Sequence, residues 1–501
     1  MIAIVDFGSQ YTQLIARRVR EAHVYCEVVP YWTKPDELSK YKGIILSGSP
    51  RSVLGESSPM PDSSIYYLGK PVLGLCYGMQ AMAHQLGGAV EKGKSGEYGR
   101  AEAKLDRNSV LFQGTKEIGT VWMSHGDHVI KAPKDFEVIA SSGSCPVAAI
   151  SNVSKNFYGL QFHPEVKHTE DGALIIENFL FKICGEEPSW KMSSFAEEQI
   201  EAIKKTVGGD HVIAGVSGGV DSVVTAVLLH KAIGKQLHVI FVDHGLLREG
   251  EREEVIFTLT NLGLDPILVG CEDIFLDALK GVTEPEQKRT IIGRLFIEEF
   301  EKACKTIPGV KWLAQGTLYP DVIESSGGVS GLADKIKSHH NVGGLPERMN
   351  LKLIEPMRML FKDEVRHLGR ELGVPKHLTD RQPFPGPGLA IRLVGEVTRQ
   401  RLDILRKADE IVREEIAGDA DQYFAVLLPV SSVGVQGDER SYNCVCAVRA
   451  VSTTDFMTAS WTKLPYEVLD RIATRITGEV KQIGRVVFDI TNKPPATIEW
   501  E

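Results

Sequence analysis

The sequence predicts an α/β protein: two domains built on parallel sheets, followed by a small α+β domain. Three features predict it. Short apolar runs alternate with helical patterns from residue 2 to about residue 85 (IAIVDF, TQLIARRVREA, CEVVP, GIILSG, PVLGLC, YGMQAMAHQLGG), the rhythm of strands feeding crossover helices on both faces of a sheet. That rhythm breaks at CGEEPSWK (184–191), where Gly, Pro and clustered charge read as a linker, and then resumes. Past residue 377 a proline-rich loop leads to a helix, two apolar runs, a second helix and a last strand. The domains are therefore set at 1–185, 190–376 and 377–501, each large enough to bury its own core.

In the first domain a site is expected at the carboxyl ends of the strands. Cys76 ends the strand-like run 71–75, and a helical segment starts at once with Gly74 and Gly78 on either side. This is the pattern of a nucleophile elbow, G-x-C-x-G in place of G-x-S-x-G. A thiol at a helix N-terminus has its thiolate stabilised by the helix dipole. The base it needs is His163 in LQFHPE, with Glu165 placed two residues on to orient the imidazole. His125 and His128 are alternative bases without the Pro-Glu neighbour.

On GLCYG and FHPE together, the stretch 6–177 resembles the class I glutamine amidotransferases. The resemblance implies Cys76 as nucleophile, His163 as base and Glu165 as orienting acid, with the thiolate attacking the side-chain amide of glutamine. Two backbone N–H groups would hold the oxyanion, one from Tyr77 and one from the turn Ser47-Gly48-Ser49-Pro50. The family usually has Gly where Ser49 stands, so either Gly48 or Ser49 supplies the second donor, and Ser serves only if the backbone there does not need positive φ. Gln80, one helical turn past Cys76, by resemblance helps hold the substrate glutamine; as a plain helix residue it would be a solvent-side polar group. WMSHGD (122–127) also looks like a family motif near the glutamine site.

In the second domain Ser194-Phe195-Ala196-Glu197 reads as a capping box for a helix through about residue 207. Ser217-Gly218-Gly219-Val220-Asp221-Ser222 then lies between an apolar run (211–216) and a helix-like run (223–233), a turn whose backbone N–H groups and helix dipole hold an anion. No lysine follows the last glycine, so this is not the common phosphate loop. Two hydroxyls and small backbone groups suit pyrophosphate, and Asp221 suits its Mg2+. SGGVDS resembles the loop of the N-type ATP pyrophosphatases, which implies cleavage of ATP to AMP and pyrophosphate. A second strand (236–242) ends at Asp243, a turn residue in its own right, and by resemblance Val242 lines the adenine pocket. A third strand (311–315) leads into GTLYPDVIES (316–325), similar to a signature of GMP synthetases, which adds Gly316 to the ATP site and Asp321 as a second metal candidate. Lys335, Lys337, His339, His340 and Arg348 surround NVGGLP (341–346), by resemblance a lid over the reaction. Lys362 opens a helical run and resembles a phosphate ligand of the family.

In the third domain RQPFPGPGL (381–389) must be a shaped loop, because its prolines remove donors and fix φ. A helix (398–416), apolar runs (423–430 and 442–451), a helix (466–474) and a strand (485–490) follow. Strands with one apolar face need a cover, and a second copy across a two-fold axis supplies one. By resemblance this domain dimerises and recognises the purine nucleotide. Gln436 and Arg440 stand in a Gly-rich turn (432–440), while the tail KPPATIEWE (493–501) offers Lys493 for a 5′-phosphate and Glu499 for base or ribose donors.

Together GLCYGMQ, FHPE, SGGVDS, GTLYPDVIES, PFPGPG and KPPATIEWE identify the chain as resembling the glutamine-hydrolysing GMP synthetases over essentially its whole length. The resemblance implies ATP, xanthosine 5′-monophosphate (XMP) and glutamine as substrates, Mg2+ with the ATP, and a homodimer; since free ammonia would protonate or escape, the glutaminase is expected to be weak until ATP and the nucleotide close the synthetase lid. Composition narrows the classes independently. A net charge of −9 disfavours a nucleic-acid polymer. MIAIVDFGSQ lacks the pattern of a secretory signal, and no apolar run approaches the length of a membrane span. The eight cysteines form no CxxC and read as reduced, hence a cytoplasmic location. The alternatives are another amidating or thiolating ligase of the pyrophosphatase type, and a non-catalytic glutamine or nucleotide sensor on the same folds.

Overall fold

The computed structural model describes residues 1–325, 350–436, 439–453 and 458–501. The chain divides into two compact units: Met1–Phe195 together with the helix Tyr319–Ser325, and the remainder from Ala196.

The first unit is built on β1 (Ile2–Asp6), β2 (Cys26–Pro30), β3 (Gly43–Leu46), β4 (Val72–Leu75), β5 (Ala89–Leu105), β6 (Ile118–Lys131), β7 (Glu137–Ser142), β8 (Ala149–Asn152) and β9 (Phe157–Leu160). They form one sheet in the order β2-β1-β3-β4-β9-β8-β7-β5-β6. The strands β2, β1, β3, β4 and β9 run parallel, as the alternating pattern predicts. The other half is antiparallel, because between residues 89 and 142 the strands follow one another without the crossover helix that parallel neighbours require. β1, β3, β4 and β9 are almost wholly buried, so they read as continuous apolar runs.

The second unit holds a fully parallel sheet of β10 (His211–Gly215), β11 (Leu237–Asp243), β12 (Pro266–Gly270), β13 (Val310–Ala314) and β14 (Lys352–Ile354), in the order β12-β11-β10-β13-β14. Its second sheet joins β15 (Gln422–Gln436), β16 (Glu439–Ser452), β17 (Ser460–Trp461) and β18 (Ile483–Asp489). One hydrophobic cluster runs from Ile213 and Ile240 through Leu402 and Leu405 to Ile472 and Ile483. Both sheets of the unit therefore share one core.

Two local expectations are corrected. The helix Met192–Val207 starts before Ser194, which therefore lies inside the helix instead of capping it. Residues 432–436 and 440 are strand, not turn: β15 and β16 pair antiparallel out to Gln436 and Glu439, since Val433 and Val435 continue the alternation of the strand past Gly434.

Candidate active site

The thiol site is made by local backbone geometry. β4 ends at Leu75, the helix Tyr77–Gln85 begins at the next turn, and Cys76 between them has φ +50° and ψ −104°. A non-glycine residue in that region is strained, and strain of this kind gathers at functional sites. The turn is possible because strand and helix approach without side chains between them. A Cβ on Gly74 would sit 2.6 Å from the Gly78 carbonyl carbon, and one on Gly78 would overlap the Leu46 carbonyl. The predicted elbow is present.

His163 is buried, and its Nδ1 lies 2.7 Å from Glu165 Oε1. Burial pushes the imidazole pKa down, but the Glu165 charge and the nearness of Cys76 outweigh it, so the pKa stands well above the usual value. Among the described residues His163 Nε2 is buried without a hydrogen bond of good geometry, and Cys76 acts on it through proximity. Two backbone anchors hold the pair: Thr169 Oγ1 donates to the His163 carbonyl at 2.6 Å, and Arg18 Nε donates to the Glu165 carbonyl at 2.9 Å. The alternative base His125 pairs with Glu97 at 3.3 Å, but burial lowers its pKa. His163 is the histidine poised to hold a proton against a thiolate.

The oxyanion turn tolerates serine. Neither Gly48 nor Ser49 has positive φ. Ser49 Oγ donates to the Phe7 carbonyl at 3.0 Å and accepts from the Arg51 N–H at 3.2 Å. Gly48 lies beside the imidazole, a Cβ there falling 3.7 Å from His163 Cε1. Gln80 is not a solvent-side residue: it is buried, and Nε2 donates to the Asp127 carbonyl at 2.7 Å and to Gln161 Oε1 at 3.2 Å. Gln161 in turn reaches the Cys76 sulfur at 3.6 Å. That residue was passed over in the sequence although it stands two before His163 at the end of β9.

The phosphate cradle follows β10. Ser222 Oγ accepts from the Ser217 N–H at 3.2 Å and donates to the Gly219 carbonyl at 3.0 Å, with the two serine hydroxyls 3.4 Å apart. Gly219 precedes the helix Val220–Ile233, so the loop ends on a helix N-terminus. Lys362, which opens the helix Lys362–Glu371, meets Asp221 Oδ2 at 2.6 Å. Among the described residues Asp221 Oδ1 is buried without a hydrogen-bond partner. Gly316 packs against this loop: a Cβ there would be 3.2 Å from Thr225 Oγ1 and 3.4 Å from the Asp221 carbonyl. Val242 is buried near the end of β11, and Asp243 accepts from the Gly245 N–H at 3.2 Å as a turn residue. Asp321 stands on the helix Tyr319–Ser325, which clusters with the first unit, whereas Asp221 belongs to the second. The basic stretch from Lys335 to Arg348 lies outside the described residues.

Three sequence families match separate stretches: glutamine amidotransferase class-I over residues 3–183, NAD synthase over 193–292, and the GMP synthase C terminal domain over 409–500. The chain is 55% identical over 507 residues to the glutamine-hydrolysing GMP synthase of Aquifex aeolicus, covering 100% of this chain and 99% of that one. The enzymes of the same name from Ruminiclostridium cellulolyticum and Acetivibrio thermocellus are 56% and 55% identical over 511 residues, with the same coverage. The chain belongs to the glutamine-hydrolysing GMP synthases.

The tail of the chain is held by charge. Arg392 is fully buried, lies against Phe424 with its guanidinium 3.9 Å from the ring centre, and donates twice to Glu499, at 3.0 and 2.8 Å. Gln422 Nε2 adds a third donor at 3.0 Å. A lone arginine inside the apolar run GLAIRLV was the sequence signal for such a pair. Lys493 pairs through its backbone with Ala459. Arg440 stands apart from that tail. It is exposed and opposite Val435, 13 residues along β15 from Gln422, on the order of 40 Å away, so one chain does not bring it to Glu499. Gln436 pairs with Glu439 at the same far end of the ribbon.

Proposed function

We propose that the chain makes GMP from XMP, ATP and glutamine, releasing AMP, pyrophosphate and glutamate. The observation that carries this reading is identity of about 55% over the whole chain with enzymes of that name.

In the first unit the Cys76 thiolate attacks the amide carbon of glutamine, and Tyr77 with Gly48 or Ser49 donates to the oxyanion. The His163 imidazolium gives its proton to the leaving nitrogen, and ammonia departs. His163 then takes a proton from water, which attacks the thioester and frees glutamate and the thiol. Glu165 keeps the imidazolium favourable throughout. Gln80 and Gln161 brace the pocket.

In the second unit the XMP oxygen at C2 attacks the α-phosphorus of ATP and pyrophosphate leaves into the cradle of residues Ser217–Ser222. Ammonia then attacks C2 and expels AMP. Mg2+ bound with the nucleotide supplies charge neutralisation for the leaving pyrophosphate. The buried Oδ1 of Asp221, without a partner among the described residues, fits a divalent cation, and Asp221 would hold it. Lys362 neutralises the same phosphates, Val242 and Gly316 border the adenosine, and Lys493 and Glu499 take the XMP. The NAD synthase match covers only residues 193–292, a stretch the alternative ligases would share, whereas identity with the GMP synthases runs over the whole chain.

A homodimer through the C-terminal sheet belongs to the same reading. Val433, Val435 and Tyr442 are 53%, 73% and 69% exposed on the β15–β16 ribbon, and a second copy would cover them. Among the described residues no helix is long and apolar enough to cross a membrane, and the free cysteines fit a reducing cytoplasm.

The deciding experiment is ATP-dependent conversion of XMP to GMP by wild type and Cys76→Ala, with glutamine or ammonium as donor. Cys76→Ala is expected to lose only the glutamine-driven reaction. A wild type that forms no GMP from either donor refutes the reading.

A further inference from the structure

Two consecutive glycines form the floor of the cradle, and a Gly-Gly peptide is the easiest kind to turn over, because each residue accepts φ of either sign. Gly218 sits at φ +80°, and a side chain there would overlap Val255. The loop sequence itself does not choose which way the 218–219 peptide faces. The Gly218 carbonyl accepts from Arg381 Nη1 at 3.3 Å. Since a trans peptide is planar, the Gly219 N–H points opposite to that carbonyl. Among the described residues neither the Gly218 nor the Gly219 N–H has an acceptor, so both donors are available to a ligand.

Arg381 is itself anchored. Its Nη2 pairs with Glu251, whose side chain is 2% exposed, and the other Glu251 oxygen accepts from the Arg248 N–H at 2.9 Å at the start of the helix Glu251–Asn261. Only 14% of the Arg381 side chain is exposed. The guanidinium is a fork whose two arms hold different partners, the carboxylate and the carbonyl. Were the peptide to turn over, a carbonyl oxygen in place of an N–H would face the phosphates and repel them.

We propose that Arg381 is a positioning residue for the leaving pyrophosphate: braced on Glu251, it holds the Gly218 carbonyl outward and so presents the Gly219 N–H to the phosphate. This rests on the reading of Ser217–Ser222 as the phosphate cradle. It also assigns a task to the loop RQPFPGPGL, whose first residue reaches the cradle from 163 positions away in sequence.

The test is ammonium-driven GMP synthesis by wild type, Arg381→Met, Arg381→Lys and Glu251→Gln, measuring KM for ATP, KM for XMP, kcat and inhibition by inorganic pyrophosphate. Arg381→Met should weaken pyrophosphate inhibition and raise KM for ATP by roughly ten- to a hundredfold, the range for loss of a hydrogen bond from a charged donor. KM for XMP should stay at the wild-type value. Lysine keeps the charge but not the fork, so Arg381→Lys should recover only part. If Arg381→Met does not fold, Glu251→Gln, which frees the guanidinium without removing it, carries the same comparison. Unchanged pyrophosphate inhibition in the variants overturns the proposal. So does an equal rise in both KM values, which would mark a general effect on the fold. A wild type whose ATP-dependent reaction is insensitive to pyrophosphate overturns the cradle itself, and that result precedes any variant.

Discussion

Glu165→Gln removes one charge from the thiol site and almost nothing else. Glu165 is fully buried, its Oε1 is 2.7 Å from His163 Nδ1, and His163 is itself 2% exposed. Two unit charges about 4 Å apart at an effective dielectric of about 20 attract by about 4 kcal/mol. In the native site burial pulls the His163 pKa down, but this attraction together with the nearness of Cys76 outweighs it and holds the pKa well above its ordinary value. Without it the first of the influences that oppose burial is gone, and the imidazole pKa falls. The substituted amide can also donate to Nδ1, leaving the proton on Nε2, the tautomer unable to accept one from the thiol. The loss in kcat/KM for glutamine should be about 10³- to 10⁴-fold, as for neutral replacements of triad acids elsewhere. The pH dependence fixes the sign. The thiolate–imidazolium pair survives only below the His163 pKa, so the alkaline limb of the glutaminase should move to lower pH in the variant. The assay is glutamate release against pH with ATP and XMP present, with ammonium-driven GMP formation as the control for folding. A variant with the wild-type rate and the wild-type alkaline limb would refute the argument.

Three further outcomes are expected. Gly78→Ala places a Cβ into the Leu46 carbonyl, a backbone atom that cannot yield cheaply, so thermal unfolding should show a loss of about 3 kcal/mol; an unchanged midpoint would mean the strand and helix are not so closely set. His244 is lowered by burial to about 4, partly offset by Asp243 and Glu251. Its folded pKa lies below the unfolded value of about 6.5, so the unfolded chain takes up the proton first and stability falls as pH drops from about 6.5 through 4, by about 3 kcal/mol. Urea unfolding across that range should show a slope that His244→Asn flattens; equal slopes would count against it. Lys288 is fully buried, donates to the Ala390 and Leu393 carbonyls at 3.2 and 2.7 Å, and pairs with Glu501. Lys288→Met strands a buried carboxylate and should cost about 3–5 kcal/mol in urea unfolding, of which the double variant with Glu501→Gln should recover part; no recovery would deny that the pair is coupled.

Much of the chemistry was legible because it is encoded over a few residues. G-x-C-x-G allows one kind of strand-to-helix turn, His163 and Glu165 are two positions apart, and SGGVDS carries its own hydroxyls, glycines and helix start. The parallel half of the first sheet and β10, β11 and β13 of the second were likewise readable as apolar runs, whereas the edge strands β12 and β14, largely exposed, carry no such run and were not. The antiparallel half was less so, because an apolar run does not state the direction of its neighbour.

What the sequence alone determined is therefore the short-range geometry: the elbow at Cys76, the anchored imidazole and the two-glycine cradle. The tertiary structure decided which distant groups complete them. Gln161 was brought under the Cys76 sulfur, Arg381 to the Gly218 carbonyl, and Arg392 with Gln422 to Glu499, while Arg440 was carried to the far end of a ribbon. The physical reason is range. Backbone torsions and small-residue contacts act between neighbours in the chain, whereas the partner of a buried charge is whichever group the packed strands and helices deliver to it.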